Sequence, residues 1–388
     1  MTTGLSMRRL CGKEIQMIGS FFAPNGFDID NGILWFVPYS DRLLCGYSIR
    51  EKKITCVKII PEEIENPALI RNVLVSENKV YLIPSIINHI HVYDIGKDKF
   101  ESVLIEINNN QMNFYAAHIY KDNLFVFPAK NIFILKIDLK NYNVDKIKIL
   151  DENEEDKDQD LYFTFSNCRK SNNIILLKKT AKSICIFDME TMCFEYREIE
   201  KSEGYYGTVT SISDDEIALT DDCGNVTVYN LNNNNVENIM NDVQDFNSKE
   251  FYSSLPCFST VIYHNTTLYM FPATGNMILE MDMDKKIIRK SMGIKHISSE
   301  FNNQDVQMFS EIKIYKDNGY GFLIKKGILA KIEFDKHTII ELPLQFDGLC
   351  TMILKQYARC ELEKHPIREG KTIIGNIQNL IDYLIEER

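Results

Sequence analysis

A ten-residue offset recurs seven times along this chain, and few folds can satisfy it. Segments such as LWFVPYSDRLLCGYSI (34–49), VYLIPSIINHIHVYDI (80–95) and LFVFPAKNIFILKIDL (124–139) each open with a short apolar or aromatic run. In four of the seven units the run ends at proline: Pro38, Pro84, Pro128 and Pro272. Lys178, Thr220 and Leu323 hold the equivalent place in the other three. Ten residues further on stands a polar residue flanked by apolar ones: Ser48, Asp94, Asp138, Asp188, Asn230, Asp282 and Glu333. Successive anchors lie 46, 44, 50, 42, 52 and 51 residues apart. A fixed internal offset with elastic spacing between units describes a conserved core joined by loops of variable length.

The periodicity inside each unit is two, that of strands, and no unit carries a 3.6-residue repeat. Polar turns such as Asn232 to Asn235 follow the third strand, and a fourth short strand follows each turn, as in Phe100 to Ile107. Four strands per unit, seven times over, predict an all-β chain: a seven-bladed β-propeller of four-stranded antiparallel blades. A lone blade cannot bury both faces, and closing neighbours into a ring buries them all.

In rhythm the chain resembles bacterial β-propeller repeat proteins, kelch-like and similar to the central domain of galactose oxidase. The resemblance covers roughly residues 15 to 347 and is architectural. The kelch double glycine and the Trp-Asp dipeptide of another propeller family are absent, so no family function is carried over.

The expected organisation is an N-terminal tail over 1–14, the propeller over 15–347 and a C-terminal extension over 348–388. Ring closure often borrows a strand from the opposite terminus, and Ile15 to Phe22 is a candidate outer strand for the last blade. An eighth blade using Leu349 to Tyr357 is the alternative. From Thr372 to Glu386, Ile373, Ile377, Leu380 and Leu384 form one helical stripe, and Ile374, Ile381 and Ile385 widen it. A helix is therefore expected at about 372–386, entered through Pro366 and Gly370. Its apolar face must cover something, either the propeller itself or a partner. Ile373, Ile377, Leu380, Ile381 and Leu384 are the candidate docking residues.

Charge narrows the partners. The net charge is −11, and Asp151 to Asp160 alone supplies −6 from seven acids and one lysine. The remainder is near neutral, so no basic face for nucleic-acid phosphates is expected. The acidic run reads as a solvated loop; it lacks the glycine of a calcium loop. No apolar run is long enough to span a membrane, and Met1 to Met17 has no apolar core of a signal peptide. The ten cysteines show no CxxC pairing and read as reduced thiols, which places the protein in the cytoplasm.

The chemistry is sparse. His89 and His91 share a strand face, a spacing open to two metal ligands, but no third ligand is evident, so neither metal nor cofactor is expected. No nucleophile elbow, phosphate loop or dinucleotide fingerprint occurs. Gly204 to Gly207 reads as a blade-entry turn, and the pairs Asp214-Asp215 and Asp221-Asp222 read as solvated turn residues. Counting back thirteen residues from Pro38, Pro84, Pro128, Lys178, Thr220, Pro272 and Leu323 gives Asn25, Arg71, Tyr115, Phe165, Gly207, Ser259 and Ser310. These positions differ from unit to unit, as a binding surface at the channel mouth requires. Asn25, Arg71, Tyr115, His118, Tyr206, Ser259 and Glu311 are the candidate ligand-binding residues. The expected function is non-catalytic: a propeller binding a peptide, glycan or partner protein at the channel mouth. The alternative is a propeller lyase, hydrolase or epimerase acting on a carbohydrate or peptide derivative. An acid or base with a shifted pKa beside a second titratable group would favour the enzyme.

Overall fold

The structure is a computed structural model of the chain that describes residues 24–38, 42–61, 70–84, 89–104, 114–128, 133–148, 167–177, 183–199, 206–246, 256–291, 309–323 and 327–364. Twenty-eight strands form seven four-stranded antiparallel sheets, each built from four consecutive strands in chain order. The blades span 24–59, 70–104, 114–148, 167–198, 206–239, 258–290 and 309–342. The first strand of each blade packs beside the first strand of its neighbour, so the first strands line the axis and the fourth strands lie outermost.

The ten-residue offset has a simple geometric origin. Pro38, Pro84, Pro128 and Pro272 are the last residues of the second strands, where a residue without an N–H can end a ladder. The polar residue ten positions later is the last of the third strand and sits opposite the first residue of the second, as in Lys79↔Asp94 and Asn123↔Asp138. Its side chain folds over the turn that follows. Asp138 Oδ1 accepts the amides of Lys140 and Asn141, Asp188 those of Glu190 and Thr191, and Asn230 those of Asn232 and Asn233. Ser48, Asp94 and Asp282 cap their turns in the same way. Glu333 departs from the pattern: its longer side chain pairs with Lys331 and Lys336, which hold its carboxyl down at about 2.

Each turn closes through a left-handed residue four positions after the anchor. Lys52, Asp98, Tyr142, Met192, Asn234, Lys286 and His337 all have φ between 50° and 62°. None is glycine, so composition gave no hint of this seventh-fold regularity; the capped turn imposes it.

The core is divided among the seams. Seven apolar clusters exist among the described residues, and each joins two adjacent blades. Between blades 3 and 4, for example, Phe125 and Phe127 meet Phe187 edge-on, with ring centroids 5.7 Å apart in both pairs. Ion pairs open to solvent also cross the seams: Lys121–Glu190 that of blades 3 and 4, Lys58–Asp98 that of blades 1 and 2, and Lys286–Glu237 that of blades 5 and 6. Solvent screening makes these minor next to the apolar burial.

Closure between blades 7 and 1 differs from expectation. Blade 7 is completed by its own fourth strand, Thr338–Leu342, and Ile15 to Phe22 lies outside the described residues. The chain after blade 7 instead runs beside the outermost strand of blade 1. The Ile54 amide donates to the Gln345 carbonyl at 2.6 Å, and the Asp347 amide donates to the Ile54 carbonyl at 3.1 Å. A helix follows, Gly348–Lys364, so Leu349 to Tyr357 is helical and cannot form an eighth blade. Asp347 caps it, its Oδ1 accepting the Cys350 amide at 2.8 Å. Cys350, Leu354 and Tyr357, at i, i+4 and i+7, bury into the cluster shared by blades 1 and 7. This helix was not foreseen, because its apolar stripe is short and its other positions are mixed. The helix expected at 372–386 lies outside the described residues.

Candidate functional site

The innermost strand of each blade has a free edge facing the axis, and its backbone groups there have no ladder partner. Side chains of neighbouring blades take up some of them. Asp28 Oδ2 accepts the Val75 amide at 2.9 Å, Thr260 Oγ1 accepts the Ile312 amide at 3.1 Å, and the Arg169 guanidinium donates to the Ile119 carbonyl at 2.8 Å. These bonds stitch blade 1 to 2, blade 6 to 7 and blade 4 to 3. Gly26 is required for the first: a Cβ there would collide with the Arg71 carbonyl of the next blade.

The residues thirteen positions before Pro38, Pro84 and their equivalents share one structural role. In blades 1, 2, 3, 5, 6 and 7 the pairing of first and second strands slips by one residue there. Ile70 faces Pro84 and Asn72 faces Ile83, leaving Arg71 as the bulged residue. Tyr115, Gly207 and Ser259 are bulged in the same way, and Asn25 and Ser310 lie within the corresponding slips. A bulge leaves backbone groups unpaired and re-aims the strand at the mouth. Two serines answer that locally. Ser310 Oγ accepts the Phe322 amide at 2.9 Å, and Ser259 Oγ donates to the Phe271 carbonyl at 3.3 Å.

Beyond the bulges the channel opens into a cavity of about 310 Å³ against the innermost strands of blades 4 to 7. Ser259 and Glu311 both line it, so the structure brings these two candidates together. They share its wall with Cys168, Arg169, Thr210 and Thr260. The other candidates are placed differently. Tyr206 is buried in the seam of blades 4 and 5, its hydroxyl 3.3 Å from Thr227 Oγ1, so it faces the core. His118 is half-buried with its ring edge-on to Phe127 at 6.0 Å. Arg71 is half-buried in blade 2, and the backbones of Asn25 and Tyr115 lie in their strands. Gly207 sits in a strand rather than a turn, and Asp221 is buried, with Oδ1 accepting the amides of Cys223 and Asn225. His91 is buried too, its Nδ1 2.8 Å from Ser102 Oγ.

Sequence reasoning found Glu311 but passed over Asp28 and Lys313, the charged groups around it on the innermost strands. Asp28 and Lys313 occupy the same place in blades 1 and 7, ten residues before Pro38 and Leu323, and Glu311 lies two residues earlier on the same strand as Lys313. The Lys313 ammonium is 3.1 Å from Glu311 Oε1. Burial pushes the Asp28 carboxyl up, against the opposing pull of Lys313 and of the Val75 and Ile29 amides. Burial works against the charge of Lys313, but Glu311 and Asp28 hold its ammonium above the ordinary range. Burial also pushes the Cys168 thiol up to about 12, so it stays protonated near neutrality and is a poor nucleophile. The same count of ten, continued around the repeats, gives Leu74, His118, Cys168, Thr210 and Ile262, a ring of unlike side chains that was readable from the spacing.

Fold and site together define a seven-bladed β-propeller with a polar axial channel whose lining changes from blade to blade. No protein-family model matches the sequence, and no curated protein matches it. Solved structures match the fold. A catalytically inactive variant of virginiamycin B lyase from Staphylococcus aureus, with quinupristin, aligns at TM-score 0.58 and 12% identity, covering 80% of this chain and 94% of that one. A streptogramin B lyase aligns at 0.56 and 11%, covering 83% and 94%. Hsv2 of Kluyveromyces lactis aligns at 0.51 and 9%, covering 82% and 97%. Identities this low establish shared architecture and nothing about activity.

Proposed function

We propose that this protein is a non-catalytic binding propeller that takes a peptide or glycan bearing hydroxyl or amino groups into the axial channel. The observation that carries the reading is the cavity wall, which the half-exposed Glu311, paired with Lys313, shares with Thr210, Ser259 and Thr260. A carboxylate with hydroxyl neighbours accepts from and donates to such ligands, and a protein partner could present the same groups on a loop. The kelch-like rhythm and a bacterial, cytoplasmic setting belong to this reading as proposals.

The alternative is a propeller enzyme, a lyase, hydrolase or epimerase, favoured by one observation: Asp28, with its raised pKa, lies near Lys313 and Glu311. Its carboxylate oxygens accept the Val75 and Ile29 amides, however, which commits them to the scaffold and favours binding over proton transfer. The test is an array of glycans and short peptides probed with the full chain, followed by calorimetry on any hit. Glu311→Gln is expected to weaken binding about tenfold or more, the worth of one charge-assisted hydrogen bond. Unchanged affinity in that variant would overturn the site. Conversion of the bound compound to a new product would replace this reading with the enzyme.

A further inference from the structure

We infer that the ligand of the axial channel is a short linear peptide, three or four residues long and free at both ends, whose amino group meets Glu311 and whose carboxylate meets Arg169. The inference rests on the binding reading of the cavity and narrows it to one class of ligand. Among the described residues, Glu311 and Arg169 are the two charged side chains that line the cavity, one anion and one cation. They stand on blades 7 and 4 and do not pair with one another.

Each has capacity to spare. The Lys313 ammonium is 3.1 Å from Glu311 Oε1, and Oε2 has no partner among the described residues. Asp28 and Glu311 share that one lysine, so with both carboxylates ionised the group is one cation short. A primary ammonium supplies the charge and three N–H donors. Arg169 is exposed, and its guanidinium is held in place. Its Nε donates to the Ser171 carbonyl at 3.2 Å and Nη1 to the Ile119 carbonyl at 2.8 Å, with the Tyr120 ring 5.6 Å away. Nη2 has no partner among the described residues. A guanidinium already fixed in orientation binds a carboxylate with little further loss of side-chain freedom.

Strand register sets the length of the ligand. The last pairs of first and second strands are Ile314↔Gly319 and Tyr315↔Asn318 in blade 7, and Arg169↔Ile174 and Lys170↔Asn173 in blade 4. Arg169 therefore holds the place of Ile314, three residues beyond Glu311. At about 3.3 Å per residue the two charges are offset by about 10 Å along the strands. The width of the channel between blades 7 and 4 adds to that. A free amino acid is too short, whereas an extended peptide covers about 3.3–3.6 Å per residue and reaches with three or four. The cavity of about 310 Å³ is at the small end of ligand pockets, which begin near about 300 Å³. Its wall also offers Ile314, 52% exposed although it stands on an innermost strand, for an apolar middle residue to cover.

Side chains of Lys and Asp within a longer chain offer the same two charges, and capping the termini separates the two sources. The experiment is calorimetry on the full chain with pools of tri- and tetrapeptides whose inner residues are apolar. Four forms are compared: free, N-acetylated, C-amidated, and a doubly capped set with Lys and Asp at the two ends. The free form is expected to bind, and each single cap to weaken binding at least tenfold. Glu311→Gln should abolish the effect of acetylation and Arg169→Gln that of amidation, since each variant has already lost the contact. Arg169 also joins blade 4 to blade 3, so the caps, which leave the protein unaltered, decide the matter if that variant fails to fold. Equal affinity with and without caps overturns the inference, as does binding of the doubly capped Lys and Asp set as tight as that of the free form. Failure of every free peptide, with a glycan still bound through Glu311, overturns it too and leaves the binding reading standing. Absence of any channel ligand overturns both.

Discussion

Asp28 on the innermost strand of blade 1 accepts the amide of Val75, 47 residues further along the chain on the innermost strand of blade 2, at 2.9 Å. An innermost strand has no ladder partner on its axial side, and this bond satisfies one of the groups that side leaves open. Asp28→Ala is expected to destabilise the protein by about 1–3 kcal/mol, the cost of stranding a partly buried donor. Urea unfolding with an unchanged slope is the measurement; no shift in midpoint would remove the stitching role.

The same carboxyl gives a pH signature. Its folded pKa is raised above 3.8, chiefly by burial, so the fold prefers the protonated form. That contribution is complete below the unfolded value and is lost as pH rises through the folded one. Relative to Asp28→Asn, the unmodified protein should lose stability on going upward through that window. Parallel stability curves for the two proteins across the acid range would contradict this.

Lys52 holds φ at 55° with its amide bonded to the Ser48 carbonyl at 2.8 Å. A left-handed residue other than glycine costs about 1 kcal/mol, partly offset by the greater freedom of unfolded glycine. Lys52→Gly is therefore expected to be neutral or to raise the melting temperature by a few degrees, and Lys52→Val to lower it, since branching at Cβ worsens the strain. The reverse order in thermal melts would show that the turn is not the constraint.

The helix cap at Asp347 should be acid-sensitive. The Cys350 amide holds its carboxyl below the usual range, so its stabilisation is present above the unfolded pKa and lost as pH falls through the folded one. Asp347→Ala is expected to cost about 1 kcal/mol near neutrality and less in acid, and Asp347→Asn to recover most of it. Exchange rates within 348–364, compared at two pH values, check both statements.

Tyr206 separates scaffold from site. Buried in the seam of blades 4 and 5 with its hydroxyl 3.3 Å from Thr227 Oγ1, it should tolerate Tyr206→Phe within about 1 kcal/mol, whereas Tyr206→Ala should cost about 3–5 kcal/mol through the cavity left behind. Ligand affinity, measured on folded protein, should be unchanged in Tyr206→Phe. A large loss of affinity in that variant would return Tyr206 to the ligand-binding set.

The ladder ends and the turn chemistry were legible because they depend on residues close in sequence. Pro38 cannot donate to a ladder, and Asp138 reaches the amides of Lys140 and Asn141 whatever lies in the next blade. Repetition then made the pattern visible seven times over. The left-handed turn residues were not legible, because Lys52, Met192 and Lys286 carry no preference for that conformation and accept it only inside a capped turn.

The channel was read only in part. Counting thirteen residues back found the bulges, which are a property of strand register, but register alone does not say whether a side chain faces water or core. Tyr206 went inward, and Glu311, on the innermost strand of blade 7, lines the cavity. Sequence by itself determined seven equivalent blades, their strands and their capped turns, since each is settled within a few residues by backbone donors, side-chain reach and the alternation of faces. Tertiary structure alone decided which chain segment closes the ring, which positions meet at the axis, and that Asp28, Glu311 and Lys313 come together from opposite ends of the chain. Those outcomes depend on the angle and distance between blades, which are set by how seven separate apolar seams pack at once.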